Sequence, residues 1–305
     1  MRILLATDGS EYSENAARFL TRINWSPQDA ITVFHAIYAL PFPEDRKFHF
    51  DTLQSIKKEL APRILDSAVA ILKPVQAGIS VEVSEFSPGE YTPDQCIMNA
   101  ARSAKADLIA MGARGTKGFA SAFLGSVTRV VTAHSSLPVL VVKRNVKQSP
   151  GPLKILFAAD GSAYSRAAAE FLSSIPFPDD TKVMILNVIA SGFSDLPERF
   201  SLEVNDQIKE TVAHARAGEF AESEKILEES RVFLSKKFRT VSVLTRVGDP
   251  SAEIISAAAS GEMDIIVAGC KGQRGMKGMM GSVSKNVLIH APCSVLIGKT
   301  CGGDL

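Results

Sequence analysis

The 305-residue chain repeats itself once, and this repeat constrains its fold more than any other feature. MRILLATDGSEYSENAARFL at the start matches LKILFAADGSAYSRAAAEFL past the middle, so Asp8 falls on Asp160, 152 residues later. DLIAMGARG matches DIIVAGCKG, with Gly112 on Gly269 and the spacing now 157 residues. HSSLPVLVVK matches HAPCSVLIGK, with His134 on His290. Solenoid repeats run to about 50 residues, so a period this long means two copies of a whole domain. The chain is long enough for each copy to bury its own core. The spacing predicts one domain over 1–147, a linker at 148–152 and a second domain over 153–305. In the run Lys147-Gln148-Ser149-Pro150-Gly151-Pro152, prolines and a glycine interrupt both helical and strand periodicity.

Within each copy, short β-branched runs alternate with helical patterns. Strands are expected near 2–7, 31–36, 79–85, 107–111 and 138–143, with helices near 11–23, 52–73, 93–104 and 126–134. The second copy repeats this, with strands near 153–158, 182–188, 240–245, 264–268 and 294–298 and a long charged helix over about 203–237. RILLA, ITVFHA, DLIAM and PVLVV are almost continuously apolar, as strands covered on both faces must be. Alternation of this kind predicts two tandem doubly wound α/β domains. Such folds bind ligands at the C-terminal ends of their strands, beside the point where strand order reverses. Asp8 and Gly112 both sit at such ends.

Two glycine blocks carry the chemistry. Gly112-Ala113-Arg114-Gly115 is followed by nine residues and then Gly125-Ser126; Gly269-Cys270-Lys271-Gly272 is followed by eight and then Gly281-Ser282. Each block lies between an apolar strand and a helix, where glycines permit close approach to a phosphate chain. A helix starting there offers unpaired N–H groups and the positive end of its dipole. Ser126 and Ser282 either cap that helix or turn to phosphate. Arg114, Lys117, Lys271, Arg274 and Lys277 lie in the loops as candidate phosphate partners. Asp8 and Asp160 would face the ligand's other end, suiting ribose hydroxyls, an adenine edge or a phosphate-bound metal. Each piece alone has a plainer meaning: G-x-x-G as a turn, Asp-Gly-Ser as a turn and helix cap. Their ordered recurrence favours a ligand.

This combination of motifs resembles the universal stress protein family, and the whole chain is similar to its tandem members. ATDGS, GARG…GS and HSSLPVLVV carry the likeness in the first half; AADGS, GCKG…GS and HAPCSVLIG carry it in the second. The resemblance implies a five-stranded parallel sheet in each domain, of a Rossmann-like type shared with adenine nucleotide α-hydrolases. It implies ATP, with Mg2+, in members that keep the glycine loop. By position it assigns Thr7 and Asp8 to the adenosine end and the Ala36 backbone, ending strand two, to adenine. Met111, Gly112, Arg114 and Gly115 would line ribose and phosphates, and Gly125, Ser126, Val127 and Thr128 would hold the phosphate chain. The matching second-half positions are Ala159, Asp160, Val188, Ala268, Gly269, Lys271, Gly272, Gly281, Ser282, Val283 and Ser284. There the loop is one residue short, which spans up to about 3.3–3.6 Å and predicts a weaker or altered second site. The closing strands PVLVV and SVLIG would pair within the chain, as those of single-domain relatives do between chains.

Other features bound the function. Net charge is +1, so no global field argues for nucleic acid or a membrane surface. No run approaches the roughly 18 apolar residues of a membrane span, and the N-terminus has no signal-like organisation, so a cytoplasmic protein is expected. Cys96, Cys270, Cys293 and Cys301 form no CxxC pair and no metal spacing with histidine. His134 and His290 fit helix C-termini. Cys293 reads as core and Met276, Met279 and Met280 as adaptable packing; Cys270, inside the loop, leaves a redox role open. No nucleophile elbow, Ser–His–Asp set or Walker lysine is present, so an enzyme is not expected. The leading expectation is an ATP-binding stress-response protein whose occupancy controls conformation or the choice of an unknown protein partner. A nucleotide-independent scaffold and a slow ATPase are the alternatives.

Overall fold

The computed structural model describes residues 1–38, 47–86, 91–115, 124–143, 151–190, 206–272 and 280–299. The first half runs β1 (Arg2–Ala6), α1 (Glu11–Leu20), β2 (Ala30–Tyr38), α2 (Lys47–Leu72), β3 (Gly78–Phe86), α3 (Pro93–Ser103), β4 (Leu108–Gly112), α4 (Ser126–His134) and β5 (Val139–Val142). The second runs β6 (Lys154–Ala158), α5 (Ala163–Ser174), β7 (Lys182–Ile189), α6 (Asp206–Leu234), β8 (Thr240–Val247), α7 (Pro250–Ser260), β9 (Ile265–Gly269), α8 (Ser282–His290) and β10 (Ser294–Gly298).

The same local event starts each half. Asp-Gly-Ser ends the first strand, Gly9 and Gly161 adopt φ of 77° and 73°, and the serine caps the next helix. Ser10 accepts from the Ser13 amide and Ser162 from that of Ser165. A left-handed turn needs glycine, and an N-cap needs a short polar side chain. The turn-and-cap reading of this motif therefore holds alongside any ligand role.

The strands form one ten-stranded sheet in the order β3-β2-β1-β4-β5-β10-β9-β6-β7-β8. Pairing is parallel within each half. At the centre β5 and β10 run antiparallel, with Leu140 opposite Leu296 and Val141 opposite Val295. These side chains are buried, so the seam covers apolar strands that would otherwise be edges. Helices cover both faces, and the core on each face contains residues of both halves: Leu5 with Phe157 on one, Phe34 with Leu186 on the other.

Two lysines tie the halves further. Lys143 follows β5 and donates to the Ile289 and Ala291 carbonyls at the end of α8, at 3.1 and 2.6 Å. Lys299 follows β10 and donates to Thr132 O of α4 at 2.9 Å. A cation at a helix C-terminus meets the unpaired carbonyls and the negative end of the dipole. Burial is the main cause lowering the Lys143 ammonium to about 8, with Arg114 adding to it and Cys293 opposing. The native state therefore loses this proton below the unfolded value of 10.5. Stability from this group is absent below pH 8 and rises as pH climbs towards 10.5, because the unfolded chain then binds more protons. Wild type compared with Lys143→Met in denaturant titrations should gain up to about 3 kcal/mol across that window. A flat difference would mean the ammonium is not desolvated.

Candidate functional site

β1 lies between β2 and β4, and the strand order reverses there, opening a crevice at the C-terminal ends of the parallel strands. A cavity of about 720 Å3 occupies it. All the first-half positions that the resemblance assigns line it: Thr7, Asp8, Ala36, Met111, Gly112, Arg114, Gly115, Gly125, Ser126, Val127 and Thr128.

At one end, the backbone of β2 is open to the cavity. The Thr7 amide donates to Phe34 O at 2.9 Å, so Phe34 faces β1. Ala36, two residues on, faces the same way, but β1 has ended at Ala6. Its N–H and C=O therefore point into the crevice, a donor and an acceptor side by side. Ala36 is not the end of the strand as expected: β2 runs on to Tyr38, because β3 pairs with it as far as Phe86. Beside it stands His35, 8% exposed, with Nδ1 2.8 Å from Thr7 O. A carbonyl only accepts, so Nδ1 carries the proton. Thr7 Oγ1 donates to Ser13 Oγ and accepts from the Gly9 amide, fixing the turn. The Asp8 carboxylate takes the amide and hydroxyl of Ser10 at 3.1 and 2.6 Å through Oδ1.

The other end is built from the glycine block. A Cβ on Gly115 would contact Asp8 Oδ2, so the missing side chain is what lets the carboxylate and loop meet. Gly112 is different: a Cβ there would meet Tyr12 C at 2.6 Å and Ser13 N at 2.8 Å, the backbone of α1. Its first requirement is helix-on-strand packing. Ala113 O accepts the Gly125 amide at 2.9 Å, closing the loop at the start of α4. The cap of that helix is Gly125 itself, with no side-chain hydrogen bond. This corrects the expectation that Ser126 caps: Ser126 is already helical, as Ser282 is behind Gly281 in α8. The amides of Ser126, Val127 and Thr128 are thus left without intrahelical acceptors. The Thr128 hydroxyl proton is committed to Gly112 O at 2.9 Å, while its amide is one of the three left without an intrahelical acceptor. Arg114 lies 5.6 Å from the Tyr12 ring centre, a cation held over an aromatic face.

The second crevice has the same skeleton. The Gly281 amide donates to Cys270 O at 2.9 Å, as Gly125 does to Ala113 O. Ser284 Oγ donates to Gly269 O at 2.7 Å, and a Cβ on Gly272 would meet Asp160 Oδ2 at 2.8 Å. Lys271 lies 5.3 Å from the Tyr164 ring centre. Ala159 replaces Thr7, and Asn187 replaces His35, donating through Nδ2 to Ala159 O at 2.7 Å. Val188 and Val283 pack partly buried at the core edge, Ala268 stands one residue before the end of β9, and Ser282 begins α8. Despite the shorter loop, the hydrogen bond from the Gly281 amide to Cys270 O keeps the start of α8 tied to the end of β9, as in the first half. Lys117, Arg274, Lys277, Met276, Met279 and Cys301 lie outside the described residues.

Several cavity residues carry no sequence signal. Lys57, Leu60 and Ile64 come from α2, and Pro93 and Ile97 from α3. Helices that cross over a cleft contribute by tertiary placement, and no local spacing announces it. The described cysteines are free and buried. Burial pushes the Cys293 thiol up to about 12 and raises Cys270 too, against the pull of Lys299 and Lys271. Protonated buried thiols are poor nucleophiles, so the redox reading of Cys270 gains no support.

The sequence model of the universal stress protein family matches residues 1–143 and again 153–299. The chain belongs to the universal stress protein family. It is 33% identical over 141 residues to a universal stress protein of Thermus aquaticus, covering 46% of this chain and 97% of that one. It is 24% identical over 319 residues to one of Mycobacterium tuberculosis, covering 97% of this chain and 96% of that one. A crystal structure of a universal stress protein from Archaeoglobus fulgidus superposes with a TM-score of 0.65 at 22% identity, covering 98% of both chains. The fold is thus the tandem form of this family's α/β domain. No helix of the described residues is long and apolar enough to cross a membrane.

Proposed function

We propose that this universal stress protein binds ATP in its first half, and that occupancy alters the conformation or partner choice of the whole sheet. One observation carries the reading: the glycine-capped start of α4, with no side-chain cap, faces the same cavity as the open Ala36 backbone. An adenine offers a matching acceptor and donor to Ala36, Asp8 suits ribose hydroxyls, and the α4 amides with Arg114 suit phosphate oxygens. Gly115, where a side chain would collide with Asp8, leaves the room that a ligand needs. Among the described residues no group of three or more His, Cys, Asp or Glu can hold a metal alone. Mg2+ would therefore arrive on the phosphates, with Asp8 as the carboxylate lining the cavity. On this reading the chain is a binding protein of the cytoplasm rather than an enzyme.

The test is direct. Denaturing the purified protein and weighing the released small molecules should find adenine nucleotide. Added Mg·ATP at 100 times its dissociation constant should stabilise the protein by about 2.7 kcal/mol, seen as a raised unfolding midpoint. No released nucleotide and no shift with ATP would favour the nucleotide-independent scaffold. Repeated turnover in a phosphate-release assay would favour the slow ATPase.

A further inference from the structure

The two crevices differ on the helix that overhangs them. In α2, Lys57, Leu60 and Ile64 line the first cavity. Burial sets the register of α6 against α2: Ala61, Leu65 and Leu72 are buried in one, Ser223, Leu227 and Leu234 in the other, each 162 residues later. The following strands keep that spacing, β3 opening at Gly78 and β8 at Thr240. Glu219 therefore stands where the first half has Lys57, and Glu222 where it has Leu60. Positions 57 and 219 are both half-buried, and 60 and 222 are both exposed.

The motif charges match, Asp8 with Asp160 and Arg114 with Lys271. Together these groups leave one positive charge at the first crevice and two negative charges at the second. By sequence the loops outside the described residues carry Lys117 in the first half and Arg274 with Lys277 in the second, so the two sets of charges sum to two positive against none. A polyphosphate carries several negative charges, so reversing a nearby charge acts on it far more than on a neutral ligand.

Resting on the nucleotide reading above, we propose that this helix selects the ligand of each crevice. Lys57 favours a polyphosphorylated nucleotide in the first, and Glu219 with Glu222 turns the second towards a ligand of the nucleoside class without polyphosphate. The shared frame supports this: the Ala159 amide donates to Leu186 O as Thr7 does to Phe34 O, so the Val188 backbone faces the same way past the end of β6, and the Asp160 carboxylate remains, while Glu219 stands where Lys57 would attract phosphates.

The full chain and its variants are titrated calorimetrically with Mg·ATP and with adenosine. Wild type should take up one tight ATP per chain. Lys57→Glu should weaken ATP by about tenfold or more while adenosine stays within about twofold. Glu219→Lys combined with Glu222→Leu should add a second ATP. All three positions lie at least partly at the surface, and unchanged melting curves would confirm that the variants fold. The proposal is overturned if Lys57→Glu weakens both ligands alike or neither, if the double variant still takes one ATP, or if wild type takes two equally. Wild type binding neither ligand would overturn the nucleotide reading itself.

Discussion

Gly115→Val lowers ATP affinity by at least about 100-fold, roughly 2.7 kcal/mol, and leaves the unliganded fold nearly as stable as wild type. The new Cβ lands on Asp8 Oδ2, the end of a side chain that can turn away. Swinging it out breaks the set of Asp8 with the Ser10 amide and hydroxyl, and the valine methyls fill the space between loop and carboxylate. No backbone has to move, so the damage stays in the site. Calorimetry with Mg·ATP reads the loss, and a denaturant melt without ligand reads the fold. Wild-type affinity in a normally folded variant would remove the glycine block from the phosphate site.

Gly112→Val, three residues earlier in the same motif, has the opposite outcome. Its Cβ meets the carbonyl carbon of Tyr12 and the amide of Ser13, atoms of α1 that cannot rotate out of the way. The helix must lift off β4, opening the core that Leu5, Ala16 and Leu140 share. Overpacking of this kind typically costs 1–3 kcal/mol, and a clash with fixed backbone should cost about 3 kcal/mol or more. A fall in denaturant midpoint, already present without nucleotide, is the measurement. Gly269→Val should do the same in the second half, where Tyr164 C and O stand 2.8 and 2.9 Å from the added carbon. A stable Gly112→Val variant that fails only to bind ATP would restore the purely phosphate-binding role.

The contrast between these glycines shows where the motif stops being informative. Both stand in Gly112-Ala113-Arg114-Gly115, and spacing alone assigns both to a phosphate loop. One answers to a helix crossing behind the strand, the other to a carboxylate arriving from β1. The serines after Gly125 and Gly281 teach the same lesson. Serine is a good cap by propensity, yet the glycine before it takes the position, which leaves the first-turn amides uncovered. Thr128 and Ser284 repeat it, since their hydroxyl protons are committed to Gly112 O and Gly269 O.

The shortened second loop is the clearest case of a sequence difference whose meaning changed. One missing residue predicts a weaker or altered second site, yet the anchor from the Gly281 amide to Cys270 O has the same 2.9 Å as its counterpart. The structure moves the asymmetry to α2 and α6, where Lys57 faces Glu219. That exchange is visible in the sequence only after the helices are put in register by burial.

Local order was sufficient for much of this protein. The duplication, the β–α alternation and the strand ends carrying Asp8 and Gly112 follow from sequence patterns, and the resemblance those patterns carry implies the other motif positions that line the first cavity. Those patterns are legible because turns, caps and strand periodicity are set by neighbours along the chain. The resemblance also pairs β5 with β10, as the sheet does; tertiary structure alone decided which glycine meets a helix and which a carboxylate. It also decided that Lys143 and Lys299 each hold the other half's helix, and that α2 brings Lys57 to the cavity. Each of these depends on groups far apart in sequence meeting in space, and spacing along a chain does not encode which distant backbone will arrive.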